Sequence, residues 1–262
     1  MNSFTTRVVA VSGAIAISLG AAACSKSDTP ATSSTASSGS SGSASATAPT
    51  ATAPASSSSA GATDAPEASD ILDKAKTNAL AATSGAFVGE VDQSGKTIKI
   101  DFKGTSDGKT ADIAISMEGD GKARVISVAD GVYIQGDETF WKKQGAPASV
   151  QKAGDKFIQA PSSASAMTES LSLKTFLEKA FGAVTPEQLA TDVASENVGG
   201  VDCWVLTDKK GKTEGALYVS KDKSEVVRFT GSSASPGQLD FSQWNADLGI
   251  KAPEASQIMK VS

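Results

Sequence analysis

Residues 97–118 read TIKIDFKGTSDGKTADIAISME, and this stretch decides the fold class. Ile98, Ile100 and Phe102 alternate with charged residues, so they share one face of a strand whose other face is polar. The same alternation returns in residues 112–118, after an Asp-Gly pair that is typical of a tight turn. Two successive half-buried strands joined by a short turn predict an antiparallel hairpin.

The pattern of this hairpin extends in both directions along the chain. Alternating runs are separated by turn residues roughly every 8–12 positions, which is typical of an antiparallel meander. Nine or ten strands are expected, and a single sheet of about that size curls strongly. The predicted strands are residues 87–91, 97–103, 112–118, 123–128, 132–135, a short segment carrying Phe140 and Trp141, 201–207, 215–220, 225–230 and 238–245.

Helical patterns stand before, between and after the two groups of strands. Asp70 is placed to cap a first helix, and residues 150–160 are predicted as a second. Ser172 precedes an apolar stripe at helical spacing that a glycine ends. Pro186 opens another short helix, and Pro253 opens a terminal helical turn. Strands interrupted by helices indicate an α+β fold, with a large curved antiparallel sheet whose concave face the helices cover.

The N-terminus has the pattern of a secretion signal. A positive charge at Arg7 precedes an apolar run, and small residues 21–23 lead directly to Cys24. The run is shorter than the about 20 residues of a membrane-spanning helix. A cysteine after small residues resembles the bacterial lipobox, in which the thiol takes a diacylglycerol, although Leu is usual where Ala21 stands. The alternative is a secreted protein cut near Ala23 with an unmodified cysteine.

Composition divides the chain into three segments. Residues 1–23 are predicted as a lipoprotein signal peptide, residues 24–69 as a disordered tether and residues 70–262 as one folded domain. The tether is rich in Ser, Thr, Ala and Pro and lacks the apolar side chains that would offset the entropy of ordering. A flexible chain of about 45 residues has a root-mean-square span of roughly 35–40 Å. The domain is therefore expected close to the outer face of the cell membrane.

The composition also excludes several kinds of chemistry. The chain has no histidine, which excludes Ser-His-Asp catalysis and histidine-ligated metals, and its net charge of -5 without a basic patch argues against nucleic acid. Ser106 lies in a nucleophile-elbow pattern, and Ser149 and Ser220 begin Ser-x-x-Lys spacings, but the base or companion motifs that these need are missing. Cys203 is expected to be a buried free thiol. No catalytic residue, metal site or cofactor is predicted.

Five segments share their order and texture with one known family. They are residues 130–133 (DGVY), 200–204 (GVDCW), 217–220 (LYVS), 227–229 (VRF) and 241–245 (FSQWN). In this order they resemble the LppX/LprG group of actinobacterial lipoproteins, which belong to a LolA-like superfamily. The resemblance implies a half-open antiparallel barrel, or half-barrel, closed by helices on its concave face. It also implies an apolar cavity that holds the acyl chains of lipids or lipoglycans.

The apolar faces of two strands and the helical stripe are the candidate lining of that cavity. Burial there is worth about 0.8 kcal/mol per methylene, so a headgroup at the mouth has to supply specificity. We predict a membrane-anchored envelope lipoprotein that binds acyl lipids or lipoglycans and carries or presents them, with an unknown membrane transporter as a further partner. The alternative is an envelope lipoprotein that binds or senses proteins without lipid cargo. The candidate lining residues are Ile98, Ile100, Phe102, Ile113, Ile115, Met117, Leu173, Phe176, Leu177 and Phe181.

Overall fold

The computed structural model describes residues 65–93, 95–161, 164 and 171–260. The predicted signal peptide, Cys24 and most of the predicted tether lie outside the described residues. None of the helices in the described ranges is both long and apolar enough to cross a membrane.

The described residues form four α-helices and eleven strands. The helices are α1 (Ala68–Ala81), α2 (Glu138–Lys143), α3 (Ala148–Gln151) and α4 (Leu173–Gly182), with single 3-10 turns at Pro186–Gln188 and Ala255–Gln257. The strands are β1 (Ser84–Gln93), β2 (Lys96–Thr105), β3 (Ala111–Met117), β4 (Gly121–Val128), β5 (Gly131–Gly136), β6 (Ile158–Gln159), β7 (Ala194–Val198), β8 (Val201–Asp208), β9 (Gly211–Ser220), β10 (Val226–Ser232) and β11 (Ser235–Ser242).

The eleven strands build one antiparallel sheet in the order β6-β5-β4-β3-β2-β1-β11-β10-β9-β8-β7. Strands β1 to β6 form one meander and β7 to β11 form another. The two meanders join where β1 pairs with β11, from Ala86 opposite Ser242 to Val91 opposite Gly237. Because β6 and β7 stand at the two ends of this order, the sheet is open. This large, open, curved sheet with its helices confirms the predicted α+β class.

The core lies on the inner face of the curved sheet, under the helices. Helix α1 buries Leu72 and Ala75 there, and α4 buries Leu173 and Leu177, all in the largest apolar cluster. A second cluster lies under α2 and α3 and contains Trp141. On the outer face, no helix covers β4 and β5 in the described ranges; apolar residues of the C-terminal segment pack against them instead. The helices therefore cover only part of the inner face.

The structure corrects the predicted helix over residues 150–160. Helix α3 ends at Gln151, and Ile158 belongs to strand β6. The reason is a non-local contact. The Phe157 N–H donates to the Gln257 carbonyl, and the Phe157 carbonyl accepts from the Met259 N–H, each at 2.8 Å. The C-terminal segment thus draws this stretch into extended backbone.

Two further local predictions are wrong. Helix α1 begins at Ala68, so Asp70 lies inside its first turn and does not cap it. The segment with Phe140 and Trp141 is helix α2, not a strand, because the Asp137 carboxylate accepts a hydrogen bond from the Phe140 N–H at 2.8 Å and caps it. Strands β6 and β7 were not among the predicted strands, and they bring the total to eleven.

Candidate functional site

A continuous row of inward-facing residues crosses nine strands of the sheet. Residues paired directly across neighbouring antiparallel strands point to the same side, so each pair extends the row by one strand. Apart from three small residues, its side chains are all Leu, Ile or Phe. We call this the middle row, and it consists of Leu206, Leu217, Phe229, Leu239, Gly89, Ile100, Ile115, Ala123 and Gly136.

The middle row is buried at its β8 and β9 end and partly exposed on β2, β3 and β4. Leu206 and Leu217 are each 1% exposed. On β2, β3 and β4 the middle-row residues Ile100, Ile115 and Ala123 are half-buried, and two side chains from the adjacent inward row share this state. Half-buried apolar surface inside a curved sheet is available to a ligand without unfolding the core. We call these five residues the inner patch: Val91, Ile100, Ile115, Met117 and Ala123.

Helix α4 crosses the inner face from β1 to β10. Phe176 stacks on Phe87 of β1 with ring centroids 4.5 Å apart, and Phe181 meets Phe229 of β10 edge to face at 5.7 Å. Phe181 is 1% exposed, whereas Phe176 is half-buried. Phe176 therefore keeps part of an aromatic ring accessible on the same face as the inner patch.

Helix α2 covers the opposite side of the inner face. Its Phe140 and Trp141 pack with Val125 and Ile134 of the sheet. Gly136, at the end of the middle row, permits this approach, since a Cβ there would lie 2.3 Å from the Phe140 ring. The inner patch thus lies between α4 and α2, on a part of the inner face that neither helix fully buries.

The ten predicted lining residues fall into two groups in the structure. Six are buried, and four are half-buried on the inner side. Because the half-buried residues are the ones a ligand can reach, they are the stronger candidates, and the role of all ten as a cavity lining stays a prediction. The half-buried residues are Ile100, Ile115, Met117 and Phe176, and the buried ones are Ile98, Phe102, Ile113, Leu173, Leu177 and Phe181.

Sequence reasoning misses several residues of this face. Phe241 lies beside Phe87 at 5.3 Å and beside Trp244 at 5.7 Å, because β11 pairs with β1. Local alternation marks both segments as strands, but nothing local reveals that the first and last strands are neighbours. Ala123 was missed for another reason, since a small side chain carries little weight in an apolar pattern.

A groove of about 680 Å³ opens on the outer face of the sheet, and its lining also includes Ile100, Ile115 and Ala123 of the inner patch. Small residues Ala114 and Ser116 leave room on its floor, and residues 151–155 border one side. Four cationic and four anionic side chains line it, so it favours neither sign of ligand charge. These are Lys99, Lys122, Arg124 and Lys152, and Asp101, Asp137, Glu138 and Asp155.

Arg124 is held in place at this groove. Its Nε and Nη2 donate to the two carboxylate oxygens of Asp112 at 2.8 and 2.6 Å. The hydrogen bond to Asp112 raises the pKa of the Arg124 guanidinium above its ordinary value, against a smaller opposing effect of burial. The guanidinium also lies over the Phe157 ring, 6.0 Å from its centroid. Much of its charge is therefore already compensated within the protein.

Ser106 and Cys203, whose side chains could act as nucleophiles, lie in a turn and in the core. The Ser106 N–H donates to the Thr83 carbonyl at 2.9 Å in the turn between β2 and β3, which is not the strand-to-helix turn of a nucleophile elbow. Cys203 is a free, fully buried thiol, as expected, and burial raises its pKa. Among the described residues, no three Cys, Asp or Glu side chains cluster as metal ligands.

Comparison with known proteins finds no matching family model and no matching curated protein. Solved structures do match. The lipoprotein LppX of Mycobacterium tuberculosis is 11% identical, with 70% of this chain and 98% of LppX covered at a TM-score of 0.42. LprF from Mycobacterium bovis is 11% identical, with 71% and 96% covered at 0.47. A LolA superfamily protein from Nitrosomonas europaea is 11% identical, with 75% and 99% covered at 0.24. LppX and the LolA superfamily are names that the sequence resemblance also gives, and the case for a function rests on the chain's own residues.

Proposed function

We propose that this domain binds acyl chains on the inner patch, between helices α4 and α2. The observation that carries the proposal is the exposure of that patch. Five inward-facing apolar side chains remain half-buried although they lie inside a curved sheet, beside a helix whose Phe176 is also half-buried. Covering such surface with methylene groups is favourable by about 25 cal/mol per Å². An acyl chain supplies apolar surface without polar groups that would have to be desolvated.

The N-terminal sequence supports a location for this binding. A charged start, a short apolar run and small residues before Cys24 fit a lipoprotein signal, and the Ser-rich segment that follows fits a tether. We therefore infer a lipoprotein at the outer face of the cell membrane that carries or presents lipids or lipoglycans. Replacement of Cys24 by Ser is expected to release the protein from the membrane fraction, and retention of the C24S protein there would contradict the anchor.

Two alanines on opposite faces of neighbouring strands provide a matched test of acyl binding. Both alanines are half-buried and border the outer groove, but the side chain of Ala123 points to the inner patch, whereas that of Ala114 points to the outer face. Ala123→Leu fills the inner patch and is expected to weaken binding of a fluorescent fatty acid about tenfold or more. Ala114→Leu adds the same atoms on the outer face and is expected to leave that affinity unchanged. Equal affinity in the two variants would contradict an inner acyl site.

The outer groove favours one alternative function. A groove lined by equal numbers of cationic and anionic side chains suits the rim of a protein interface better than an acyl chain. In that case the domain is a protein-binding or sensing module. Ala114→Leu would then disrupt capture of a stoichiometric protein partner from the membrane fraction, and Ala123→Leu would not. Native protein free of lipid would accompany that result.

A further inference from the structure

Trp141 holds a buried hydrogen-bond donor without an acceptor. Its side chain lies in the second apolar cluster and is 3% exposed. Its indole N–H makes no hydrogen bond to any residue that the structure describes. A donor buried in this way loses its hydration without compensation, and folded proteins rarely leave one unpaired.

A second tryptophan of the same domain, Trp244, provides a comparison for the hydrogen bonding of the indole N–H. Trp244 is only half-buried, yet its Nε1 donates to the Val226 carbonyl at 2.9 Å. The residues that the structure describes thus supply an acceptor to the more exposed indole and none to the more deeply buried one. Because the Trp141 Nε1 is enclosed, an external acceptor reaches it only when helix α2 shifts on the inner face.

The position of Trp141 connects this donor with the inner patch. The indole carbon Cε2, which is bonded to Nε1, would lie 3.1 Å from a Cβ placed on Gly136. Gly136 is paired with Ala123, and Ala123 with Ile115, so it continues the middle row directly from the inner patch. The nitrogen edge of the indole therefore lies at the end of the floor that we assign to the acyl chain.

We propose that the Trp141 N–H donates a hydrogen bond to the carbonyl oxygen of an ester-linked acyl chain. This inference rests on the proposed function and specifies its ligand as an acyl ester. The surroundings favour a neutral oxygen flanked by methylenes, because the indole packs with Val125, Ile134 and Val150. A charged headgroup buried among these side chains would be strongly disfavoured, whereas a single carbonyl acceptor needs only one donor.

The test compares two lipids that differ only at the proposed acceptor. Dipalmitoyl phosphatidylglycerol carries ester carbonyls, and its dihexadecyl ether analogue has the same chain length without them. The delipidated full-length chain is expected to bind the ester lipid about three- to tenfold more tightly, the range of one net hydrogen bond. Trp141→Phe keeps the apolar ring and is expected to bind both lipids with the affinity of the ether analogue. Trp204→Phe, the control in the other cluster, is expected to keep the preference.

Each outcome separates this inference from the proposed function. Equal binding of ester and ether lipids by the wild-type protein would overturn the role of Trp141 and leave acyl binding intact. Failure of the wild-type protein to bind either lipid would overturn acyl binding itself. The lipid-free Trp141→Phe protein is expected to melt close to the wild-type temperature, because removal of an unpaired donor offsets the loss of part of a buried ring. A markedly lower melting temperature together with an unchanged ester preference would mean that the donor is satisfied within the protein.

A second measurement uses the wild-type chain and so does not depend on the variant folding. The chain contains three tryptophans, so a nitrogen-15 spectrum resolves three indole N–H signals. The Trp141 signal is expected to shift downfield when the ester lipid is added and to stay in place with the ether analogue. Identical shifts with both lipids would contradict the proposed hydrogen bond.

Discussion

Phe87 and Phe176 are stacked on each other but have different roles. Phe87 is 3% exposed and also stacks on Phe102 at 4.8 Å, so it belongs to the core. Phe176 is half-buried on α4. The alternating strand and the helical stripe predict that both residues are apolar contacts, but only the packing of α4 across β1 decides which of them keeps accessible surface.

This difference leads to a prediction at the residue scale. Phe87→Ala is expected to destabilise the domain by about 3–5 kcal/mol, because it empties a core site. Phe176→Ala is expected to cost clearly less stability and to weaken binding of a fluorescent fatty acid several-fold, since it removes surface beside the inner patch. Urea unfolding and ligand titration measure the two effects. Equal losses of stability in the two variants, with acyl affinity unchanged in Phe176→Ala, would contradict the distinction.

Helix caps show how far single residues can be predicted. Ser172 precedes α4 as expected, and its Oγ accepts a hydrogen bond from the Thr175 N–H at 3.2 Å. Asp70 was expected in the same role for α1 but lies within the first turn, where the positive end of the helix dipole favours an acidic residue. Both positions favour an acidic or polar residue, so sequence alone does not distinguish a cap from a first-turn residue.

At the scale of elements, local pairings were predictable and distant ones were not. The β2–β3 hairpin follows from alternation and an Asp-Gly turn, and the structure pairs Ile98 with Met117 and Phe102 with Ile113. By contrast, β6 pairs with β5 across an intervening helical segment, and the preceding Phe157 bonds to the C-terminal segment. Such contacts between distant segments leave no periodic signal. The inner patch depends on the same kind of contact, because it lies between α4 and α2, and α4 packs on strands β1 and β10, which are distant from it in the sequence.

Helix α2 is tied to the sheet by an ion pair that gives a pH-dependent prediction. The Asp120 carboxylate, in the β3–β4 turn, accepts from Lys143 of α2 and from Lys96 of β2, the latter at 2.6 Å. The hydrogen bond from Lys143, followed by that from Lys96, lowers the pKa of Asp120 below its ordinary value of 3.8. A lowered pKa means that the contribution to stability is present above about pH 4 and is lost as the pH falls through the folded-state pKa.

Asp120→Asn is therefore expected to lower the melting temperature slightly at neutral pH. The difference from the wild-type protein is expected to vanish below the folded-state pKa of Asp120, where both proteins are neutral at this position. Thermal melts from pH 7 to pH 2.5 measure it. Glu118→Gln is the control, because Glu118 lies in the same turn and is exposed. A constant difference across this pH range would show that charge at Asp120 is not the cause.

At the scale of the whole molecule, the open sheet explains why a binding face is available. An antiparallel sheet of eleven strands has a large inner face, and the described helices longer than two turns are only α1 and α4. The periodic patterns of the sequence predicted the α+β class and the size of the sheet closely, because alternation is a property of each strand. They did not predict the outer groove, whose floor depends on the register of three strands and whose side depends on residues 151–155.

The central claim is that the inner patch holds acyl chains, and lipid analysis of the native full-length protein tests it most directly. Protein purified without detergent is denatured, and the released lipids are quantified by mass spectrometry apart from any lipid covalently attached at Cys24. We expect about one acyl lipid per chain from the wild-type protein and from Ala114→Leu, and far less from Ala123→Leu. Wild-type protein that releases no acyl lipid, or equal release from the two variants, would contradict the claim.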